Sequence, residues 1–470
     1  MVPEEKTPSF AHAASTFGLI VTVIGVGLFG FSVSLHSLML ICLAIAACSA
    51  WLLHKDGFGR IRAAMNGSIS SALGAIYIFI LIGVLIAAFI QSGTVGALIY
   101  YGIEFISPAI FLPTAIVLCI AMSIATGTSW GTAGTAGIVL IGIGDAMGIP
   151  LPVVAGAIVS GACFGDKMSP VSDTTVLAAM AAKTDLYAHI RSMAYTTFPT
   201  LALVLVISTF ISMQYADNLL PAEQLGQLLA ALDSTYAIGL LCLLPLVVMI
   251  GLILLKVAAE PAMLAASAVA VLIAIVVQGA SPAAVLNALH DGGAGNTGVK
   301  TLDNLLGRGG IASMMWTLSL ALMALALGGI LHAFGFLRVL IVTLLARVKS
   351  AFGLVTSTIL ACLVGNMSMG EAYMSIILGG QLFGTAYDDA GLDRRVLSRS
   401  LEEGATLTTT LIPWTTGGAF FATTLGVSVL DYAPWALLNW INPLVGMVFA
   451  YFGIGLFRKN PATLQAAQPA

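Results

Sequence analysis

Long apolar runs, each wide enough to cross a lipid bilayer, set the limits on what this chain can fold into. A helix needs about 20 mostly apolar residues to span roughly 30 Å of hydrocarbon. Such runs fall near 17–33, 35–53, 69–91 and 192–213, and again near 235–255, 262–278, 310–333 and 436–456. Hydrophobic residues fill 59% of the 470 positions and charged residues only 8%, where a soluble domain carries roughly 25% charge. The expected class is an all-α polytopic membrane protein, because lipid offers no partner to a backbone group left unsatisfied by its own helix. A net charge of −3 over so few ionisable groups points to no nucleic-acid partner. The acidic start, MVPEEKTPSF, makes the first run a retained span rather than a cleaved leader. All six cysteines lie inside apolar runs without metal or redox spacing and read as small packing residues.

Two regions break this pattern. Residues 108–147 and 351–388 are apolar but interrupted by GTSWGTAGT and GNMSMGEAYM, which predicts two re-entrant helical hairpins with polar tips. Each is followed by a helix broken in mid-membrane, 150–182 at GDKMSPVSDTT and 395–426 at TTTLIPWTTGG. Proline and glycine free backbone groups there, which is tolerated only against protein or a polar cavity. The order of pieces repeats, with Pro170 answering Pro413 and Gly93 answering Gly335. Paired broken helices in a duplicated chain point to a transporter site at the repeat interface.

The domain reading is an N-terminal cytoplasmic segment 1–16, a first repeat 17–214, a linker 215–234, a second repeat 235–457 and a cytoplasmic tail 458–470. Segments 94–106 and 335–347 are taken as arm helices lying along the membrane, which makes the two repeats inverted. Lys55, Arg60, Arg62, Lys183, Arg191, Lys256, Arg338, Arg347, Lys349, Arg394, Arg395, Arg399, Arg458 and Lys459 then share one side, against Lys300 and Arg308 on the other. The positive-inside rule makes the first side cytoplasmic, as for a multi-pass protein of the cell inner membrane. The 279–308 connection spells G-x-G-x-x-G in GAGNTG, but with no strand before it a flexible linker is the better reading.

A carboxylate at the bilayer centre costs roughly 2.5 to 3.5 kcal/mol, so acidic residues in the interruptions need a functional reason. Asp166, Asp173, Glu371 and Glu403 are the candidates. Around them stand Thr128 and Ser129 in the first tip, Ser169, Ser172, Thr174 and Thr175 in the first break, and Asn366, Thr415 and Thr416 in the second half. Carboxylate, hydroxyl and carbonyl oxygens suit a small hard cation, with Asp173 and Asp166 as the main ligands of sodium; they do not suit zinc or copper. Structural alternatives stand beside each: an Asp166–Lys167 ion pair, a capping role for Glu371, and a bridging charge for Glu402 or Glu403 near the basic stretch 394–399. Trp130 and Trp414 lie inside interruptions as possible walls, and His332 near a helix end reads as interfacial. No H-E-x-x-H and no paired nucleophile and histidine support an enzyme.

GTSWGTAGTAG, GAIVSGACFGDKMSPVSDTT, HIRSMAYTTFP, GNMSMGEAYMSIILGGQLF and the segment from Glu402 to Phe420 closely resemble the NhaC family of sodium/proton antiporters over nearly the whole chain. The resemblance implies the ion-transporter superfamily, an elevator-type fold of inverted repeats, a homodimer held by the scaffold, sodium and protons as transported ions, and no cofactor. It makes Ser169 to Thr175 the first sodium-binding break, with Thr415-Thr416 in the related place. Thr416 stands where Asp173 would be matched, which favours one principal ion site in the first half. Relatives that exchange organic acids such as malate and lactate keep a sodium- or proton-coupled organic-anion or amino-acid exchanger open. In either case a partly desolvated carboxylate, Asp173 with Asp166 nearby, is expected to bind proton or sodium in competition.

Overall fold

The computed structural model describes residues 7–458 apart from 55–56, 106, 171, 217–221, 256, 294–296, 298–302, 304–305, 308, 346–347 and 349. Lys55, Lys256, Lys300, Arg308, Arg347, Lys349 and Lys459, counted above for orientation, lie outside the described residues, as do parts of the GAGNTG connection and nearly all of the 458–470 tail. The described residues are helical, with one isolated bridge between Leu392 and Arg458. Among the described residues six helices are long and apolar enough to cross a membrane, or up to nine if each sharply bent pair is one span.

Several expected boundaries move. The first helix, Phe10–Gly25, starts inside the expected 1–16 segment because Ser9 caps it, its hydroxyl accepting from the His12 N–H at 3.2 Å. The run expected at 69–91 is the second half of a longer element, Phe58–Ser71 and Leu73–Gln91, bent by 47°. The 215–234 linker contains the start of a helix, Ala222–Thr235, whose Leu232 is fully buried. The chain then turns by 86° into Leu240–Leu252, so 235–255 is not one straight span. The polar connection 279–308 contains Pro282–Asp291, capped by Ser281, and is not wholly a loop. The arms are helices of 12 residues, Thr94–Phe105, and 10 residues, Phe336–Leu345, each too short to cross at about 1.5 Å per residue.

The two interrupted regions have matching local structure. The first hairpin runs up Phe111–Thr126 and returns from Ser129 to Ala146; the second runs up Ala351–Met369 and returns through Ala372–Asp389. At each tip a glycine ends the rising helix with positive φ, Gly127 at 70° and Gly370 at 69°, where a side chain would be strained. The next residue caps the returning helix in nearly the same conformation, Thr128 at φ −147°, ψ 126° and Glu371 at φ −148°, ψ 131°. A constant spacing of 243 residues relates these pairs, and it also relates Pro170 to Pro413 and the ten-residue half-helices Asp173–Ala182 and Thr416–Leu425.

Each broken helix packs on the rising arm of its own hairpin through a glycine. A Cβ on Gly161 would meet the Ile116 carbonyl at 2.5 Å and Cys119 Cβ at 2.8 Å; on Gly404, 243 residues later, it would meet the Ile359 carbonyl at 2.7 Å and Cys362 Cβ at 2.8 Å. Interiors packed to that density leave no room for a methyl group. The breaks are thereby pressed against the tips.

Candidate ion-binding site

A cavity of about 390 Å³ opens where the two tips and the two breaks meet, and four carboxylates line it: Asp166, Asp173, Glu371 and Glu260. Among the described residues no lysine, arginine or histidine lines it. Thr128, Ser129, Thr174 and Thr416 line it too, as do Tyr373, Thr406, Thr409 and Thr410. Trp130 forms part of its wall, stacked on Phe420 with ring centroids 4.5 Å apart.

Asp166 is buried at the end of Leu151–Met168, and three donors hold it. The Ser129 N–H and hydroxyl donate to Oδ2 at 3.1 and 2.6 Å, and the Ser172 hydroxyl donates to Oδ1 at 2.6 Å. The first tip is thus fastened to the first break through one carboxylate. Asp173 begins the second half of the same broken helix and is exposed to the cavity; the Tyr373 hydroxyl, from the second tip, donates to its Oδ2 at 2.5 Å. Glu371 both caps its helix, accepting from the Ala372 N–H at 2.9 Å, and accepts from the Thr416 hydroxyl at 2.6 Å. Capping and cavity lining are both true of Glu371.

Other expected residues serve the unwound backbone instead. Ser169 donates to the Ile124 carbonyl at 2.9 Å and Thr175 to the Lys167 carbonyl at 2.9 Å. Thr415 donates to the Thr409 and Ile412 carbonyls, and Asn366 donates to the Ala405 carbonyl at 2.7 Å and to Thr408 at 3.0 Å. These bonds satisfy groups that the breaks set free. Trp414 donates to the Met367 carbonyl at 2.8 Å and lies away from the cavity lining.

Glu403 stands outside the cavity, a correction to its place in the expected ion site. It is fully buried with Lys167 Nζ at 3.8 Å and Arg399 Nε at 4.0 Å, and accepts from Thr196 at 2.5 Å. Neighbouring residues on a helix point about 100° apart, so Lys167 faces Glu403 and donates to Asn442 while Asp166 faces the cavity. The expected alternative of an Asp166–Lys167 pair is therefore absent. Glu260 and Tyr373 escaped sequence reasoning. Glu260 sits in the first turn of the otherwise apolar helix Ala259–Val276, and Tyr373 two residues past Glu371; Tyr373 follows the tip closely enough to have been found, but nothing local marks Glu260.

Among the described residues no three histidine, cysteine, aspartate or glutamate side chains are placed to hold one metal ion. A cation here would rest on one or two carboxylates supplemented by hydroxyl and carbonyl oxygens. The first tip formally reads Gly127-Thr128-Ser129-Trp130-Gly131, a G-x-S-x-G string; Ser129 donates to Asp166, and no histidine lines the cavity to activate it.

The sequence model of the Na+/H+ antiporter family matches residues 6–216 and 161–454. The chain belongs to that family. It is 35% identical to the Na(+)/H(+) antiporter NhaC of Alkalihalophilus pseudofirmus over 457 residues, covering 97% of this chain and 98% of that protein. The malate-2H(+)/Na(+)-lactate antiporter of Bacillus subtilis is 38% identical over 406 residues, 86% of this chain and 87% of its own. The arginine/ornithine antiporter ArcD of Halobacterium salinarum is 36% identical over 470 aligned positions, 97% of this chain and 95% of its own. As a member of the Na+/H+ antiporter family with several apolar helices of spanning length, the chain is a multi-pass membrane transporter rather than an enzyme. Ions are its transported substrates, and no cofactor is indicated.

Proposed function

We propose that the chain exchanges sodium for protons across the cytoplasmic membrane, with the two cations competing for the carboxylates of the cavity between the hairpin tips. The observation that carries this reading is the lining itself: four carboxylates and a ring of hydroxyls, with no basic side chain among the described residues. Oxygen ligands of this kind select hard cations. Asp166, with three donors, and Asp173, open to the cavity, are the principal sites; Ser129, Ser172, Thr174, Glu371 and Thr416 complete them. Ser169, Thr175, Thr128, Asn366 and Thr415 hold the unwound segments in register. If the mobile unit crosses only with a carboxylate neutralised by one cation or the other, antiport follows without a separate coupling device.

The constant spacing of tips, caps and breaks supports two repeats, and the short arms support their inversion. An elevator-like movement of hairpins and broken helices against the scaffold, in a homodimer, belongs to the same reading. Asp173→Asn should abolish sodium-dependent proton movement in everted vesicles while leaving expression intact. Full exchange by that variant removes Asp173 from the mechanism.

For an organic-anion exchanger, helix N-termini at the tips would receive the substrate carboxylate; Lys167 and Asn366, which could assist them, are engaged elsewhere, Lys167 with Glu403 and Asn442 and Asn366 with Ala405 and Thr408. A cationic amino acid is the second reading. A cavity of about 390 Å³ falls within the range of small-molecule pockets and exceeds what one dehydrated sodium ion needs. Competition of arginine or ornithine with sodium for proton-coupled flux would establish it.

A further inference from the structure

Behind the cavity lies a second buried polar group that the exchange reading does not use. Glu402 is fully buried on the helix Arg394–Gly404, and neither of its carboxylate oxygens has a formed hydrogen bond. Every other buried carboxylate among the described residues is held: Asp166 by Ser129 and Ser172, Glu371 by Ala372 and Thr416, Glu403 by Thr196 with Lys167 and Arg399 close by. An unpaired buried charge costs several kcal/mol, whereas a neutral carboxyl group avoids most of that cost.

The charges of Lys167, Asp166 and Asp173 are near enough to act on Glu402, and Cys163 on Leu151–Met168 is near it too. Glu403 and Arg399 lie on its own helix. Four residues on, the Thr406 hydroxyl lies near enough to act on Glu402 as a hydrogen-bond donor, though without well-formed geometry, and Thr406 also lines the cavity. A route therefore leads from Glu402, past the Thr406 hydroxyl, into the cavity.

We propose that Glu402 is a proton-carrying carboxylate set behind the ion cavity, which gives up its proton through Thr406 when a cation enters beside Asp166. The proposal rests on the cation-exchange reading above. A monovalent cation arriving beside Asp166 adds one positive charge near Glu402, which favours its anion. The proton passes by the Thr406 hydroxyl to water in the cavity, and the charge of the region returns to its starting value. Lys167 stabilises the new carboxylate until the cation leaves.

The test uses the purified full chain in weakly buffered detergent with a pH indicator. Sodium chloride is added against an equal addition of N-methylglucamine chloride, and protons released per protein are followed across a pH series, with sodium binding measured by calorimetry. For Glu402→Gln the expected result is release reduced by half or more and shifted in its pH profile, with sodium still bound but, because binding and proton release are linked, up to about tenfold more weakly where wild-type release is largest. Unchanged release overturns the proposal, and so does loss of sodium binding, which would put Glu402 in the cation site itself. If Glu402→Gln is not recovered folded, Thr406→Val decides: release should be at least about tenfold slower with the same final extent, and an unchanged rate overturns the proposal. Asp166→Asn separates the two readings. Sodium binding lost there with release unchanged in Glu402→Gln overturns only the role of Glu402, whereas wild-type binding in Asp166→Asn overturns the cavity reading.

Discussion

Tyr373, at the tip of the second hairpin, donates a 2.5 Å hydrogen bond to Asp173, at the head of the first half-helix after the break. The two lie 200 residues apart, so this one contact joins the halves of the chain across the cavity. With Ser129 fastened to Asp166 and Thr416 to Glu371, each tip touches a break through a carboxylate.

The Tyr373 hydroxyl orients Asp173 toward the cavity, at a position open to water, so the bond is worth about 1 kcal/mol. Tyr373→Phe should raise the sodium concentration for half-maximal proton flux roughly fivefold, with little change in maximal rate. A fall in that concentration would mean that the bond stabilises the empty site.

Ser129→Ala removes the 2.6 Å donor to Asp166 Oδ2 and leaves the backbone donor at 3.1 Å in place. Losing a hydrogen bond to a charged group costs roughly 1.5 to 3 kcal/mol. Sodium binding by calorimetry should change at least about tenfold in Ser129→Ala and by much less in Ser169→Ala, whose hydroxyl serves only the Ile124 carbonyl. Equal effects would deny Ser129 its special place.

Lys167 and Glu403 are both fully buried. Removing one partner of such a pair leaves an uncompensated charge at a cost of roughly 3 to 5 kcal/mol, whereas replacing both with apolar side chains can be neutral. Lys167→Met and Glu403→Met should each lower the thermal unfolding midpoint in detergent by several degrees, Glu403→Met the more because it also leaves buried Arg399 without its carboxylate, and the double variant should lose less than the sum of the two. Additive losses would show that the two charges do not compensate one another.

The cavity's frame was legible in the sequence because its causes are local. Gly127, Gly370, Pro170 and Pro413 stand in clusters of polar residues that mark them as breaks, unlike Pro199 and Pro443, which sit inside continuous apolar helices, and hydroxyls beside them satisfy the freed groups. Glu260 was not legible, since it opens an ordinary apolar helix and reaches the cavity only through packing. Glu402 and Glu403 show a second limit. Both could be placed near the second break, but which face of Arg394–Gly404 meets Lys167 depends on the neighbouring helix. The helices Ala222–Thr235 and Pro282–Asp291 were missed because short polar helices lack the apolar length that marks a span.

Gly161 and Gly404 let the broken helices approach the hairpin arms to the limit of backbone contact. Overpacking of a dense core costs about 1 to 3 kcal/mol or more. Gly161→Val and Gly404→Val should each sharply reduce the yield of monodisperse protein, whereas Gly59→Ala, with nothing within 4 Å of a new Cβ, should not. Normal yields of both valine variants would contradict the close packing.

Competition between two cations for the same carboxylates is most directly tested by sodium affinity as a function of pH. Calorimetry on the purified protein should show affinity constant at high pH and weakening as pH falls, by up to about tenfold per unit for each proton that sodium displaces. The dependence should be lost, together with tight binding, in Asp166→Asn. Sodium affinity that stays the same across the pH range in the wild-type protein would contradict the account.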